Sequence, residues 1–338
     1  MNRLEAHQVD GPLTDRVVLS VVVVTSRWRE DVCRCVDAID AGLASAPDAE
    51  LVVVMNGTSV GVGEERVSSR AVVVDLPDNL GFSGGVGQAL ALCRGEWVCL
   101  VNDDCLVEPT VFTELLAVGG SSLDIGSVAA QVRFAREPRR INSAGLEVDE
   151  LGIAYERELG ITKEAAGEIP MEVFGAAGTL VLYRRAMLDD VGGFDPTFFA
   201  YLEDADVAWR ARARGWRSMY APAAVGYHEV SATLGHASPE KHYLVGRNRV
   251  RMLAKNATQS QLRRRILAIV AYDLAYVLFV AFRYRTTAAL RGRIRGLAEW
   301  RSYRRIGAPF RGDVQLARPQ GFRAAIRRNQ AYREGASR

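Results

Sequence analysis

Three carboxylates crowd one junction of the chain. In FFAYLEDADVAWRARARGW (198–216), Glu203, Asp204 and Asp206 follow an aromatic run and precede a basic, helix-patterned stretch. As a helix start, Asp204 would serve as N-cap and Asp206 would pair with Arg210 four residues on, each worth about 1 kcal/mol or less. That accounts for one or two acids but not for Glu203 as well. A carboxylate at a helix N-terminus beside a pocket is well placed as a general base, and neighbouring like charges favour proton uptake. Asp204 is therefore the expected base, with Glu203 and Asp206 tuning it or holding an acceptor. Trp209, Tyr201 or Phe199 could stack on a ring or equally belong to the core.

A second signal is VNDDCL, which sets Asn102, Asp103 and Asp104 at the end of an apolar run. Acids at the carboxyl end of a parallel strand sit where open α/β sheets bind ligands, and hard oxygens there suit Mg²⁺ or Mn²⁺. Taken alone, such a doublet is more often a solvated turn. His228, in GYHEV, could add a ligand but gains weight only from that company. A third signal is DNLGFSGGVGQAL (78–90), whose Gly81, Gly84, Gly85 and Gly87 allow tight turns before a helix that could offer its first amides to an anion. A plain strand-to-helix turn reads the same way. The dinucleotide spacing fails because Leu90 stands where the last glycine belongs, and the first apolar run ends in TSRWR, which argues against a dehydrogenase.

Short apolar runs at 19–24, 51–55, 71–74 and 97–101 read as strands buried on both faces. Helical patterns at 30–43, 86–93, 205–214 (closed by Gly215) and 240–256 alternate with or follow them. The expected class is α/β with a single, mostly parallel mixed sheet flanked by helices. At 338 residues, 49% hydrophobic and 25% charged, the composition is globular. The opening MNRLEAHQVDGPLTDR has no apolar signal core, and the five cysteines form no C-x-x-C pair, so a cytoplasmic setting is expected.

The formal charge of +3 hides an asymmetry. Residues 262–338 hold 18 arginines against four acids, a net +14 that leaves the first 261 residues at −11. A basic tail on an acidic body suggests an anionic partner. The acidic body argues against nucleic acid, leaving a membrane leaflet or a lipid-linked phosphate. The stretch 266–282, ILAIVAYDLAYVLFVAF, is short for a span and carries Asp273 near its centre. A helix lying on a membrane, packed on the body or against a second copy of the chain is expected instead.

The order VVVVTSRWR, VVVMNGTS, NLGFSGGVGQAL, LVNDD, GAAGTLVLYRRAMLDDVGGFDPTFFAYLEDADVAWRARARGW, YHEVSAT resembles the family 2 inverting glycosyltransferases of GT-A fold, and more narrowly their bacterial rhamnosyltransferase branch. The likeness spans about 18–255. It implies Asp204 as base, Asp104 and His228 as metal ligands for Mg²⁺ or Mn²⁺, and Asn102 or Asp103 near the nucleotide ribose. Thr25, Arg27 and Asn56 would border the nucleotide base; Asn79, Gly81, Gly84 and Gly85 would form the donor loop; Glu203, Asp206 and Trp209 would face the acceptor. Asn102 and Met55 depart from the family's usual aspartates. The implied organisation is a polar segment 1–17, a GT-A domain 18–256 and a basic helical extension 257–338. The implied reaction moves L-rhamnose from dTDP-rhamnose to a glycan or polyprenyl-diphosphate-linked acceptor on the cytoplasmic membrane face. A UDP-sugar (galactofuranosyl) transferase and a non-catalytic nucleotide-sugar binder are the alternatives.

Overall fold

The computed structural model describes residues 6–7, 17–46, 48–57, 71–230 and 238–337. Most of the polar segment 1–17, Thr58 and Ser59 of VVVMNGTS, and the SAT of YHEVSAT lie outside them.

The first half alternates strand and helix: β1 (Ala6–His7), β2 (Leu19–Thr25), α1 (Glu30–Leu43), β3 (Ala49–Asn56), β4 (Ala71–Leu76), α2 (Gly81–Leu90) and β5 (Trp97–Asn102). There follow β6 (Cys105–Val107), α3 (Val111–Gly119), β7 (Ile125–Phe134), β8 (Ile141–Ser143), the hairpin β9 (Leu146–Val148) and β10 (Ala154–Glu156), β11 (Met171–Val173) and β12 (Leu180–Arg184). Then come α4 (Arg185–Val191), α5 (Glu203–Ala213), β13 (Arg217–His228), α6 (Pro239–Asn256), α7 (Gln259–Tyr284), α8 (Ala288–Ala298), α9 (Trp300–Ile306) and α10 (Gly321–Ser337).

The main sheet runs β1-β4-β3-β2-β5-β12-β7-β13-β11. β4, β3, β2 and β5 are mutually parallel, β12 is antiparallel to both β5 and β7, and β13 returns parallel to β7. Valine runs build this centre because alternate residues feed opposite cores. Val21, Val23, Val53 and Val101 pack with α1 and α3, while Val22, Val52, Val54 and Leu100 pack with residues of α2 and α4. Both faces are covered, so no polar alternation is needed.

The helix α2 begins at Gly81, five residues before the sequence pattern suggests, and its glycines are packing residues. A Cβ on Gly85 would lie 2.6 Å from Val24 Cγ1, and one on Gly81 (φ +71°) would lie 2.4 Å from the Phe199 carbonyl oxygen.

The basic extension is seated on the body. One apolar cluster joins Phe174, Trp209 and Met252 to Leu262, Ile269, Tyr303 and Val314 across the 256/257 boundary. The helices α6 and α8 meet backbone to backbone, since a Cβ on Gly292 would lie 2.1 Å from the Tyr243 carbonyl oxygen. Asp273 is bound by Arg249 at 2.9 Å and Arg293 at 2.7 Å. Burial alone would raise its pKa, but the two guanidiniums hold it below the usual carboxylate value. The charge that weighed against a membrane span is thus a clasp between α6, α7 and α8.

Two residues expected on the acceptor side belong to this interior. Trp209 is 1% exposed and sits edge-on to Phe174, with ring centroids 6.4 Å apart. Asp206 is wholly buried, bonded to Arg210 (2.8 Å), Lys255 (2.9 Å) and Asn256 (2.8 Å). The i,i+4 pair with Arg210 is therefore present, but as a buried joint between α5 and α6. Burial would raise the Asp206 pKa, and Arg210 and Lys255 outweigh it. Removing one partner of a buried pair strands the others. Asp206→Ala is expected to destabilise the fold by about 3–5 kcal/mol in chemical denaturation; a loss below about 1 kcal/mol would remove the joint from the account.

Candidate active site

A cleft of about 1000 Å³ opens at the carboxyl ends of β2, β3 and β5. One wall carries Asn102, Asp103 and Asp104, with His228; the other carries Tyr201, Glu203 and Asp204, with Glu156.

The second wall depends on an unusual turn. Phe199, Tyr201 and Leu202 all have positive φ (67°, 71° and 69°), a region L residues enter at a steric cost. The side-chain amide of Asn248 on α6 holds it, within 2.8–2.9 Å of the carbonyls of Phe198, Ala200 and Tyr201. Arg247 adds a bond to the Phe198 carbonyl at 2.9 Å. The helix α5 then starts at Glu203 with Leu202 in the cap position and no side-chain cap. Asp204 is thus inside the first turn and is not the N-cap that the sequence suggests.

Its carboxylate instead accepts two backbone amides, Ala205 N–H at 2.7 Å and Gly178 N–H at 3.1 Å. Burial raises the Asp204 pKa and these two bonds oppose the rise. Its neighbours are less well supported. Glu203 is 8% exposed with one oxygen, Oε2, unpartnered; burial first, then the charges of Asp204 and Asp206, push it up to about 8. Glu156, on β10, is raised to about 8 by burial and by Asp204, although the Ser143 hydroxyl donates to it. The cleft therefore holds an amide-bonded Asp204, raised on balance by burial, beside two carboxyls pushed up to about 8. Glu156 was not legible as a site residue, because it reaches the cleft only through the β9–β10 hairpin.

On the first wall, β13 pairs with β6 so that His228 lies opposite Cys105, next to Asp104. His228 Nε2 is 3.1 Å from Asp104 Oδ1, and His228 Nδ1 is 3.0 Å from Asn142 Oδ1. The two contacts hold the imidazole ring between Asp104 and Asn142. Thr25 does not face the cleft; its hydroxyl donates to Asp103 Oδ2 at 2.6 Å and fixes that side chain. Burial raises Asp103, and the Thr25 bond opposes it. Arg27 is exposed and outside the cleft lining.

Asn56 and Asn79 line the cleft, but their amides are spent on the loop. Asn56 accepts from Leu80 N–H (2.8 Å) and donates to the Gly81 carbonyl (2.9 Å), while Asn79 accepts from Gly81 N–H (2.8 Å). The Ser83 N–H donates to the Phe199 carbonyl at 3.1 Å. Two of the first amides of α2 are therefore satisfied within the chain, which corrects the anion-cradle reading for them. Gly81 lines the cleft; Gly84 and Gly85 pack behind it, against Leu80 and Val24.

The glycosyltransferase-like family 2 profile matches residues 17–255. The chain is 29% identical over 245 residues to the uncharacterized protein y4gI of Sinorhizobium fredii, covering 68% of this chain and 26% of that one. It is 26% identical over 249 residues to the N-acetylglucosaminyl-diphospho-decaprenol L-rhamnosyltransferase of Mycobacterium tuberculosis, covering 67% of this chain and 80% of the relative. The match thus spans about a quarter of the first relative and most of the second. Among solved structures, GalNAc-T7 with UDP, GalNAc and Mn²⁺ superposes with a TM-score of 0.60 at 14% identity, covering 85% of this chain and 58% of that one. S. aureus TarS 1–349 gives 0.54 at 16% identity, covering 95% and 90%. Both are GT-A folds, in agreement with the mixed sheet described above. Matched over most of its length, the chain belongs to glycosyltransferase-like family 2.

Proposed function

We propose that the chain is an inverting glycosyltransferase that moves L-rhamnose from dTDP-rhamnose to a hydroxyl of a glycan carried on a polyprenyl diphosphate. The observation that carries this reading is that the Asp104–His228 pair and the amide-held Asp204 line one and the same cleft. The family assignment supplies the reaction class, and the M. tuberculosis relative's name supports the sugar and the lipid acceptor.

Asp104 and His228 fit a divalent ion, Mg²⁺ or Mn²⁺. A carboxylate oxygen and an imidazole nitrogen facing one another make a sparse donor set, suited to a cation that completes its shell with water and substrate phosphates. Among the described residues no group of three or more His, Cys, Asp or Glu forms a closed cage. When bound, such an ion supplies positive charge against the leaving diphosphate. Asn142 holds the His228 ring and Thr25 holds Asp103, so this wall is organised before substrate arrives.

On the other wall Asp204 takes the acceptor hydroxyl proton as its oxygen attacks the anomeric carbon from the face opposite the diphosphate; one such displacement inverts that centre. Glu203 and Glu156, protonated, offer hydroxyl donors to sugar oxygens without adding charge beside the base. Phe199 and Tyr201 line the space where a ring would stack.

The outward face of α7 and α8 fits an anionic leaflet. The 26-residue α7 is long and apolar enough to cross a membrane, but Asp273 ties its inner face to the body. Its outer face exposes Leu267, Val270, Leu274, Leu278 and Phe282, continued on α8 by Leu290, Ile294 and Leu297. Exposed Arg263, Arg264, Arg283, Arg291 and Arg295 rim this face. An apolar stripe flanked by guanidiniums lies in the interface and does not span it.

Thermal denaturation with dTDP, UDP, GDP and NAD, each with and without Mn²⁺, tests the donor. Metal-dependent stabilisation by dTDP is expected, about 2.7 kcal/mol at one hundred times Kd; preference for UDP moves the donor to a UDP-sugar, and a response to NAD alone overturns the reading. Asp204→Asn is expected to lower kcat by about 10²–10⁴-fold with donor binding retained, and undiminished transfer in a folded variant removes Asp204 as base. Because Glu156 and Glu203 are raised to about 8 from 4.5, their folded forms bind protons that the unfolded chain has lost. Their contribution to stability is complete below pH 4.5, declines through the interval to pH 8 and is gone above it. Melting temperature should accordingly fall less steeply between pH 5 and 8 in Glu203→Gln than in the parent chain, and parallel profiles would contradict the assignment. Replacing Leu267, Leu274 and Phe282 together by serine is expected to weaken sedimentation with anionic vesicles by at least about tenfold; unchanged sedimentation rules out this face.

A further inference from the structure

The helix α10 lies beyond the stretch matched to the family, yet Tyr332, Arg333 and Ala336 line the cleft. Its seating is close. A Cβ on Gly335 would lie 2.5 Å from the Phe134 ring, and one on Gly160 would lie 2.7 Å from the Ala331 Cβ. Tyr332 meets Phe134 edge-on at 5.9 Å, and Arg328 lies over the Tyr155 ring at 4.3 Å. Phe134 ends β7 in register with His228, so this anchor brings α10 to the Asp104–His228 wall. Tyr332 itself lines the cleft, and burial, then the charges of Glu156 and Asp104, push its hydroxyl's pKa up.

The charge balance of the cleft gives this contact a purpose. Its lining holds the carboxyls of Asp103, Asp104 and Asp204, beside Glu156 and Glu203 that are pushed up to about 8, while Lys241 and Arg333 are the only lysine or arginine among the described lining residues. Lys241 faces the Tyr201 ring at 5.2 Å, on the base side. Arg333 is oriented by the Tyr284 hydroxyl at the end of α7, to which its Nη2 donates at 2.7 Å. A diphosphate entering so acidic a cleft needs a cation in addition to any bound metal, and a guanidinium offers paired donors to phosphate oxygens.

We propose that α10 completes the transfer cleft and that Arg333, with Tyr332 beside it, binds a substrate diphosphate. The inference rests on the glycosyltransferase reading and deepens it by assigning the diphosphate contact to a residue outside the family-matched segment. The diphosphate belongs either to the nucleotide donor or to the lipid-linked acceptor, and the two are separable by probe.

Isothermal titration calorimetry on the full chain would compare dTDP, UDP and dTMP, each with Mn²⁺, and geranylgeranyl diphosphate in detergent. Arg333→Gln is expected to raise the Kd for a diphosphate ligand by about tenfold or more, with partial recovery in Arg333→Lys and no change in Arg327→Gln on the exposed face of the same helix. A loss for dTDP or UDP that exceeds the loss for dTMP assigns the donor; a loss confined to geranylgeranyl diphosphate assigns the acceptor. Equal losses for all ligands with a lowered melting temperature, or no loss in a folded variant, overturn the proposal while leaving the glycosyltransferase reading intact. A parent chain that binds neither class of diphosphate overturns that reading and this inference together.

Discussion

The side-chain amide of Asn248 is the interaction on which the site's geometry depends. Three successive demands meet at the turn before α5: three residues in left-handed backbone, a helix start without a side-chain cap, and two carboxyls aimed into a cleft. None is stable by local preference, and each persists because α6 supplies partners from behind. Asn248 collects three carbonyls, and Lys255 and Asn256, two turns further along the same helix face, fix Asp206. In turn α6 is held by the glycine-mediated crossing with α8 and by the Asp273 clasp. Strain at the turn before α5 is thus supported by residues of α6 that lie outside the cleft lining.

Electrostatics divides labour among acids that look alike in sequence. Asp204 and Asp206 are two residues apart, yet one is held by backbone amides in the cleft and the other by two cations in the core. Glu203 precedes both, with one carboxyl oxygen unpartnered, and burial and the charges of its two neighbours push it up to about 8. The environment, and not the residue type, decides which carboxyl carries charge.

Much of this was legible before any coordinates. The valine runs marked β2 to β5, and the pattern over 30–43 marked α1, because both depend on local apolar spacing. Asp104 and His228, read from residue type and then from resemblance as candidate ligands, lie in contact. The helical state of GFSGGVG was hidden, since glycines read as breakers when the packing against Val24 and Phe199 is not visible. Asp273 read as an obstacle to a membrane span, and its clasp was hidden because its two arginines lie 24 residues before it and 20 after. Glu156, Asn248 and Arg333 carried no local signal at all; each matters only through an element that folds back onto the cleft.

The same tight packing governs the chain's five thiols. Burial pushes Cys93 up to about 12 and raises Cys35, Cys99 and Cys105 as well, so these four hold almost no thiolate at neutral pH. Cys33, half-buried on α1, is left as the one position that alkylating reagents or oxidants reach in the folded state. A single dye or spin label can therefore be placed on the native sequence, on α1, without replacing any cysteine.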